Sequence, residues 1–158
     1  MNAVTIREMS TEDVPEILEI EKTSYTMPWS ETSFLSEIYS RNSITRVAES
    51  KGKLVSYLCI KKVADEGHLL NLTVHQDYRR RGIARMIFKN AMDDLYANNC
   101  RFMYLEVRVS NNVAIKMYTD LHFKIIGTRK DYYIRPTEDA LIMKLEIEKN
   151  VNAGSVEG

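Results

Sequence analysis

A single mixed α/β domain is the fold class this chain predicts, and three observations lead to it. Segments whose apolar residues repeat every second position alternate with segments of helical period along nearly the whole length, a pattern that requires a sheet covered by helices. At 158 residues the chain has the size of one domain and buries a core without a structural metal or disulfides. An apolar fraction of 44% beside a charged fraction of 28% belongs to a folded globular chain.

The elements follow in order. Residues 4–8, VTIRE, alternate as an opening strand. Residues 10–25 then change to helical spacing, with Ser10 and Asp13 placed as a capping box and Pro15 in the first turn, where a missing amide costs little. Ile17, Leu18 and Ile20 form the apolar side of this helix, and Glu21 falls to its polar side. Met27-Pro28-Trp29 interrupts it, and residues 31–40 form a second helix behind Ser30. Residues 43–49 and 54–61 read as strands joined through Gly52, whose backbone freedom suits the turn. Residues 68–75 are a further strand with imperfect alternation, the mark of a sheet irregularity, a ligand-facing backbone or simply an ordinary buried strand.

The helix over residues 82–99 places Ile83, Ile87, Ala91 and Leu95 on one buried side, with Met86 and Asn90 at its edge. Residues 102–109 form a strand, 111–122 a short helix, 123–129 a strand and 140–148 the last strand. One domain over residues 1–148 results, followed by a tail at 149–158 that lacks a core-facing period and is expected to be mobile.

Charge and cysteine content narrow the function. The 22 basic residues balance 22 acidic ones, which gives no reason to expect nucleic acid as the main partner. Cys59 and Cys100 stand far apart without a histidine cluster, so neither zinc nor a disulfide framework is expected, and the thiols fit a reducing cytoplasm. No apolar run approaches a membrane span and the first residues lack the apolar centre of a signal peptide, from which a cytoplasmic location is expected.

The sharpest local feature is LLNLTVHQDYRRRGIARMI, residues 69–87, in which a strand passes through a tight basic turn into a helix. Such an entry aims several backbone amides at a pyrophosphate, with Gly82 allowing close approach and Ala84 keeping the next turn open. A charged surface connection with a glycine turn is the plainer alternative. The chain has no Gly-x-Gly-x-x-Gly dinucleotide fingerprint.

Arg79-Arg80-Arg81-Gly82-Ile83-Ala84 resembles the acetyl-CoA pattern Gln/Arg-x-x-Gly-x-Gly/Ala of the GCN5-related N-acetyltransferase superfamily. Residues 105–118, LEVRVSNNVAIKMY, and 129–145, RKDYYIRPTEDALIMKL, resemble the RimI-like ribosomal-protein alanine acetyltransferases within it, as does YTMPWSETSF near the front. The resemblance spans roughly residues 4–146. It implies a central mixed, mainly antiparallel sheet flanked by helices and acetyl-CoA as cosubstrate. It also implies that the backbone of Leu72, Thr73 and Val74 receives the pantetheine arm, and that Arg79 and the amides from Arg80 to Arg85 receive the pyrophosphate.

The chemistry that the resemblance implies is acetyl transfer from a thioester to an amine. An α-amine, with a reference pKa of about 8, is more readily neutral than a lysine at about 10.4. Glu106 matches the family's proton acceptor, acting directly or through water, and Tyr118 the tyrosine that protonates the departing coenzyme A thiolate. Asn111 caps the following helix, contacts the cofactor arm, or does both. Asn71 either orients the substrate or satisfies its own irregular strand. Tyr132 and Tyr133 resemble the lip of a peptide groove, and their alternation lets them face different partners. Glu138 organises the hairpin, attracts an amine or is a solvated turn charge, and Asp139 holds the turn. Met27 and Trp29 form another groove wall, unless Trp29 is a core anchor. Two departures stand out. Relatives with a Pro-Glu-Asn loop place a glutamate where this chain offers only Glu31, and His122 stands where many relatives have glycine, so a different turn is expected there.

The expected partner is the amino terminus of a protein or peptide, with a ribosomal protein or ribosome association open, and no membrane. Transfer to a lysine or small amine, and a non-catalytic acetyl-CoA-binding scaffold, are the competing readings.

Overall fold

The computed structural model describes residues 3–149. Its order is β1 (Thr5–Glu8), a 3-10 turn (Thr11–Asp13), α1 (Val14–Ser24), α2 (Glu31–Tyr39), β2 (Ser43–Ser50), β3 (Lys53–Val63), β4 (Glu66–Val74), a 3-10 turn (Gln76–Tyr78), α3 (Ile83–Ala97), β5 (Phe102–Arg108), α4 (Asn112–Asp120), β6 (Lys124–Tyr133) and β7 (Glu138–Glu146). From residue 150 onward the expected tail lies outside the described residues. The strands form one seven-stranded sheet in the order β1-β2-β3-β4-β5-β7-β6, so the expected mixed, mainly antiparallel sheet is what the chain builds.

Local chemistry explains most boundaries. Asp13 accepts the Ser10 N–H at 2.7 Å, the returning half of the expected capping box, and also pairs with Arg7 at 2.8 Å. Ser30 accepts the Ser33 N–H at 3.1 Å and so starts α2. Lys51 and Gly52, with φ of 54° and 78°, make the two-residue turn that joins Ser50 to Lys53. His122 takes φ 78° itself, so the chain keeps the left-handed turn that glycine would make, instead of the different turn expected of it. The strand expected at 123–129 continues through Tyr133, and the last strand starts two residues early, at Glu138, because residues 124–133 pair back onto 138–144.

Two cores lie on the two faces of the sheet. Ile83, Ile87, Ala91 and Leu95 bury one side of α3 against Leu58, Leu72, Met103, Leu105 and Val107, with Ile115, Met117 and Tyr118 of α4 packed beside them. Each fully buried aliphatic side chain there contributes about 1.5–3 kcal/mol. On the other face, Val14, Ile17 and Ile20 of α1 and Phe34 of α2 cover Val47, Leu54, Tyr57 and Cys59.

Glu21 belongs to that second core, contrary to its expected place on a polar helix face, and is 1% exposed. It stands four residues after Ile17 and seven after Val14, on the same helical stripe. Its carboxylate accepts the Tyr57 hydroxyl at 2.5 Å, the Asn71 Nδ2 at 3.2 Å and the Trp29 N–H at 3.0 Å. One group thereby ties α1, the loop after it, β3 and β4. Substituting Glu21→Ala leaves two buried donors and one half-buried donor unpaired and is expected to lower stability by about 3–5 kcal/mol. A urea midpoint that falls at unchanged m checks this.

Candidate active site

Among the described residues β4 and β5 are the only adjacent strands that run parallel, and they pair over just Glu66↔Phe102, Gly67↔Met103 and His68↔Tyr104. Beyond His68 the strands part. The register of β4 with β3 shifts at the same place, from Ile60↔Leu69 to Cys59↔Asn71, so Leu70 is the extra residue of a bulge. This accounts for the imperfect alternation of the sequence. The edge of β4 through Leu72, Thr73 and Val74 consequently faces a wedge-shaped gap with backbone groups that β5 does not pair.

The turn beyond β4 closes one end of the gap. Arg79 donates from Nε to the Val74 carbonyl at 3.0 Å, Arg81 lies over the Tyr78 ring at 5.0 Å, and Arg80 and Gly82 take left-handed φ of 66° and 79°. Gly82 is the N-cap of α3 and offers no side-chain cap, while Met86 makes the first bond back to the Gly82 carbonyl at 3.1 Å. The amides of Ile83, Ala84 and Arg85 are left without a protein acceptor among the described residues, and nothing lies within 4 Å of a Cβ built on Gly82. Oriented amides, three arginines and an open surface fit a pyrophosphate, and the free edge of β4 fits the extended amide-bearing arm attached to it. Arg85 also reaches the Asp120 carbonyl at 3.4 Å, which links α3 to the end of α4.

Glu106 and Tyr118 flank the gap from opposite faces. Leu105 and Val107 bury into the core under α3, so the alternation of β5 turns Glu106 to the other face, where it is 3.9 Å from the Arg129 Nε. Tyr118 comes from α4, its ring packed edge-on against Phe123. Burial raises the Tyr118 hydroxyl well above the ordinary tyrosine value, with Tyr25 and Tyr133 adding to the shift. Burial likewise pushes Tyr133 up to about 12, and Tyr132 and Glu106 contribute. The three tyrosines and the glutamate thus converge on one place, and Tyr118 and Tyr133 stay neutral donors there. Asn111 caps α4 by accepting the Ala114 N–H at 3.1 Å.

The groove-wall residues divide. Tyr132 and Tyr133 touch edge-to-face at 5.0 Å because the register between Arg129 and Tyr133 shifts, and Arg108 covers Tyr133 at 4.3 Å. Of the roles open to Glu138, the structure favours organising the hairpin over a solvated turn charge: it joins Arg108 at 3.2 Å and accepts the Ser110 N–H at 2.7 Å. Asp139 holds the turn as expected by accepting the Asp131 N–H at 2.9 Å. Met27 is 55% exposed, whereas Trp29 packs on Phe34 with ring centroids 5.0 Å apart. Asn71 is buried with its amide engaged by Glu21 and Thr73. Glu31 stays exposed in the first turn of α2. Glu21 and Tyr25 were missed by sequence reasoning. The helical stripe marked Glu21, but nothing local marks Tyr25, whose hydroxyl meets Thr73 at 2.7 Å.

A second concavity, whose lining includes Phe88, Met92, Leu121, His122, Ile126 and Leu145, includes neither Glu106 nor Tyr118. No helix among the described residues is long and apolar enough to cross a membrane.

A split parallel strand pair with an amide-rich helix start at one end, and a carboxylate and a neutral phenol beside it, defines an acetyl-CoA-dependent N-acetyltransferase. The chain belongs to the acetyltransferase (GNAT) family, which its residues 14–123 match. It is 35% identical over 147 residues to the [ribosomal protein bS18]-alanine N-acetyltransferase of Escherichia coli K12, covering 90% of this chain and 97% of that one. The crystal structure of the Escherichia coli ribosomal-protein-S18-alanine N-acetyltransferase superposes with a TM-score of 0.83 at 31% identity, over 98% of this chain and 100% of that one. Ard1 from Thermoplasma volcanium gives 0.84 at 25% identity, over 93% and 99%.

Adding a methyl group at Gly82 meets open space, so its cost comes from the backbone. Gly82→Ala, held at φ 79°, is expected to cost about 1–2 kcal/mol of local stability and to raise the KM for acetyl-CoA while leaving that for the acceptor unchanged. Initial rates at varied acetyl-CoA check it.

Proposed function

We propose that this enzyme acetylates the α-amine at the amino terminus of a protein, and that its substrate is a ribosomal protein of the kind named for its relatives. The observation that carries the reading is the placement of Glu106 and Tyr118 on opposite faces of the strand gap. Near-full-length similarity to bS18-alanine N-acetyltransferases supports the substrate class. Two buried free thiols, Cys59 and Cys100, are consistent with a reducing cytoplasm as the place of action.

Bound acetyl-CoA supplies an acetyl thioester. The amides from Arg80 to Arg85, with Arg79, hold its pyrophosphate, and the Leu72, Thr73 and Val74 backbone aligns its arm with the gap. Glu106 takes a proton from the incoming ammonium, directly or through one water, so that nitrogen has a lone pair for the carbonyl carbon. As the N–C bond forms and the C–S bond breaks, Tyr118 gives its proton to the sulfur; the second proton, which the nitrogen sheds on becoming an amide, restores the Tyr118 hydroxyl directly or through water, and the first leaves from Glu106 to solvent. Asn111 fixes the start of α4, so the helix presents Tyr118 at a set height and contacts the cofactor arm. Tyr132, Tyr133 and Met27 line the acceptor side, and Trp29, packed on Phe34, backs that wall. Glu138 and Asn71 act on the substrate through the segments they hold.

The test is mass spectrometry of peptides with varied first residues after incubation with enzyme and acetyl-CoA. Acetylation confined to α-amines is expected, with kcat lowered about 10²–10⁴-fold by Glu106→Gln or Tyr118→Phe. Modification of lysine side chains or added small amines overturns the α-amine assignment, and cofactor binding without product overturns the enzyme itself.

A further inference from the structure

The polar network behind β4 has a fixed direction. Asn71 donates from Nδ2 to the Glu21 carboxylate, so its Oδ1 is the end that accepts from the Thr73 hydroxyl, at 2.7 Å. A threonine hydroxyl has one proton. With that proton committed to Asn71, the 2.7 Å contact between Thr73 and Tyr25 leaves only one arrangement, in which Tyr25 donates and Thr73 accepts. The proton of Tyr25 therefore points inward to β4, and only lone pairs of its oxygen remain for the gap. Each donor in the chain points toward the buried negative charge of Glu21, which polarises the series in one sense.

Tyr25 also stands in the right quarter of the site. It sits in the loop after α1, on the face of the sheet to which Glu106 turns, and meets β4 at Thr73, beyond the point where β4 and β5 part. The residue is 39% exposed although its hydroxyl is bonded inward, so the side chain borders the open gap. Burial raises the hydroxyl above the ordinary tyrosine value, Glu21 adds to the shift and Arg79 opposes it, so the group remains a neutral phenol. On the far side of the gap it faces Tyr118, whose own hydroxyl it influences.

An ammonium that has lost one proton to Glu106 keeps two N–H bonds. Its lone pair is aimed at the acetyl carbon only if those bonds are held elsewhere, and a holder must be an acceptor. We propose that Tyr25 is that acceptor, a positioning residue that receives one N–H of the incoming α-amine across the gap from Glu106. The proposal rests on the reading of Glu106 as proton acceptor.

Tyr25→Phe keeps the ring and removes the oxygen. Thr73→Val keeps the shape of Thr73 and frees the Tyr25 proton to turn into the gap, which converts the acceptor into a donor. Both variants are expected to lower kcat/KM for an α-amine peptide about tenfold, the loss of one hydrogen bond to a charged group, with the KM for acetyl-CoA unchanged. An acceptor stabilises the ammonium more than the amine, so it raises the pKa of the bound amine. Removing it therefore moves the acid limb of kcat to lower pH, while the limb of kcat/KM, set by the free peptide, stays in place. A residue that only packed the loop would not separate the two limbs. The proposal is overturned if both variants retain wild-type peptide kinetics while Glu106→Gln is impaired, or if the loss is confined to the KM for acetyl-CoA. If Glu106→Gln itself acetylates peptides normally, the reading beneath the proposal fails and takes it along.

Discussion

The parting of β4 from β5 is the constraint on which the rest of the structure depends. Parallel neighbours need a crossover, here α3, and a crossover returns the chain far from where it left. Three residue pairs fasten the two strands at one end, and the bulge at Leu70 turns β4 away at the other. Every candidate functional group is then a consequence of that wedge. The amide-rich start of α3 lies at its mouth because α3 begins where β4 ends, and Glu106 and Tyr118 reach it from opposite sides because a strand and a helix bound it.

Such an opening is costly to hold, since a strand edge left without a neighbour exposes unpaired backbone groups. The structure holds it from behind. The Glu21 carboxylate gathers Tyr57 from β3, Asn71 from β4 and the Trp29 amide from the loop after α1, and Asn71 passes the connection to Thr73 and Tyr25. A buried carboxylate satisfied only by donors fixes geometry more than it adds stability. On the other flank, Glu138 joins Arg108 and the Ser110 amide, so the β6-β7 hairpin is tied to β5 and to the entry of α4. The two acidic groups stiffen the two walls of the gap, and neither wall is strengthened by bulk hydrophobic contact alone.

Much of this was legible along the chain. The stripe of Ile83, Ile87, Ala91 and Leu95 specified α3, and Ser30 and Asn111 marked helix starts, because a helix needs only neighbours three and four residues away. The basic turn with Gly82 was legible for the same reason, and the broken alternation near Leu70 was already visible. Less legible were charges whose partners lie far off in sequence. Glu138 looked like a solvated turn charge because Arg108 and Ser110 belong to another strand and its outgoing loop. His122 looked disruptive because a residue type does not state whether tertiary contacts will hold it at a left-handed φ.

The sequence by itself determined the α/β class, the order of elements and the helix caps, since each is written in spacings of a few residues, whereas the roles proposed for the basic turn, Glu106 and Tyr118 rest on resemblance to a family. The tertiary structure alone decided that Glu21 is buried, that its network has one direction, and that Tyr25 stands at the gap with its proton turned inward. Those features join positions up to fifty apart, Glu21 with Asn71 and Tyr25 with Thr73, and only folding brings such positions within hydrogen-bond reach.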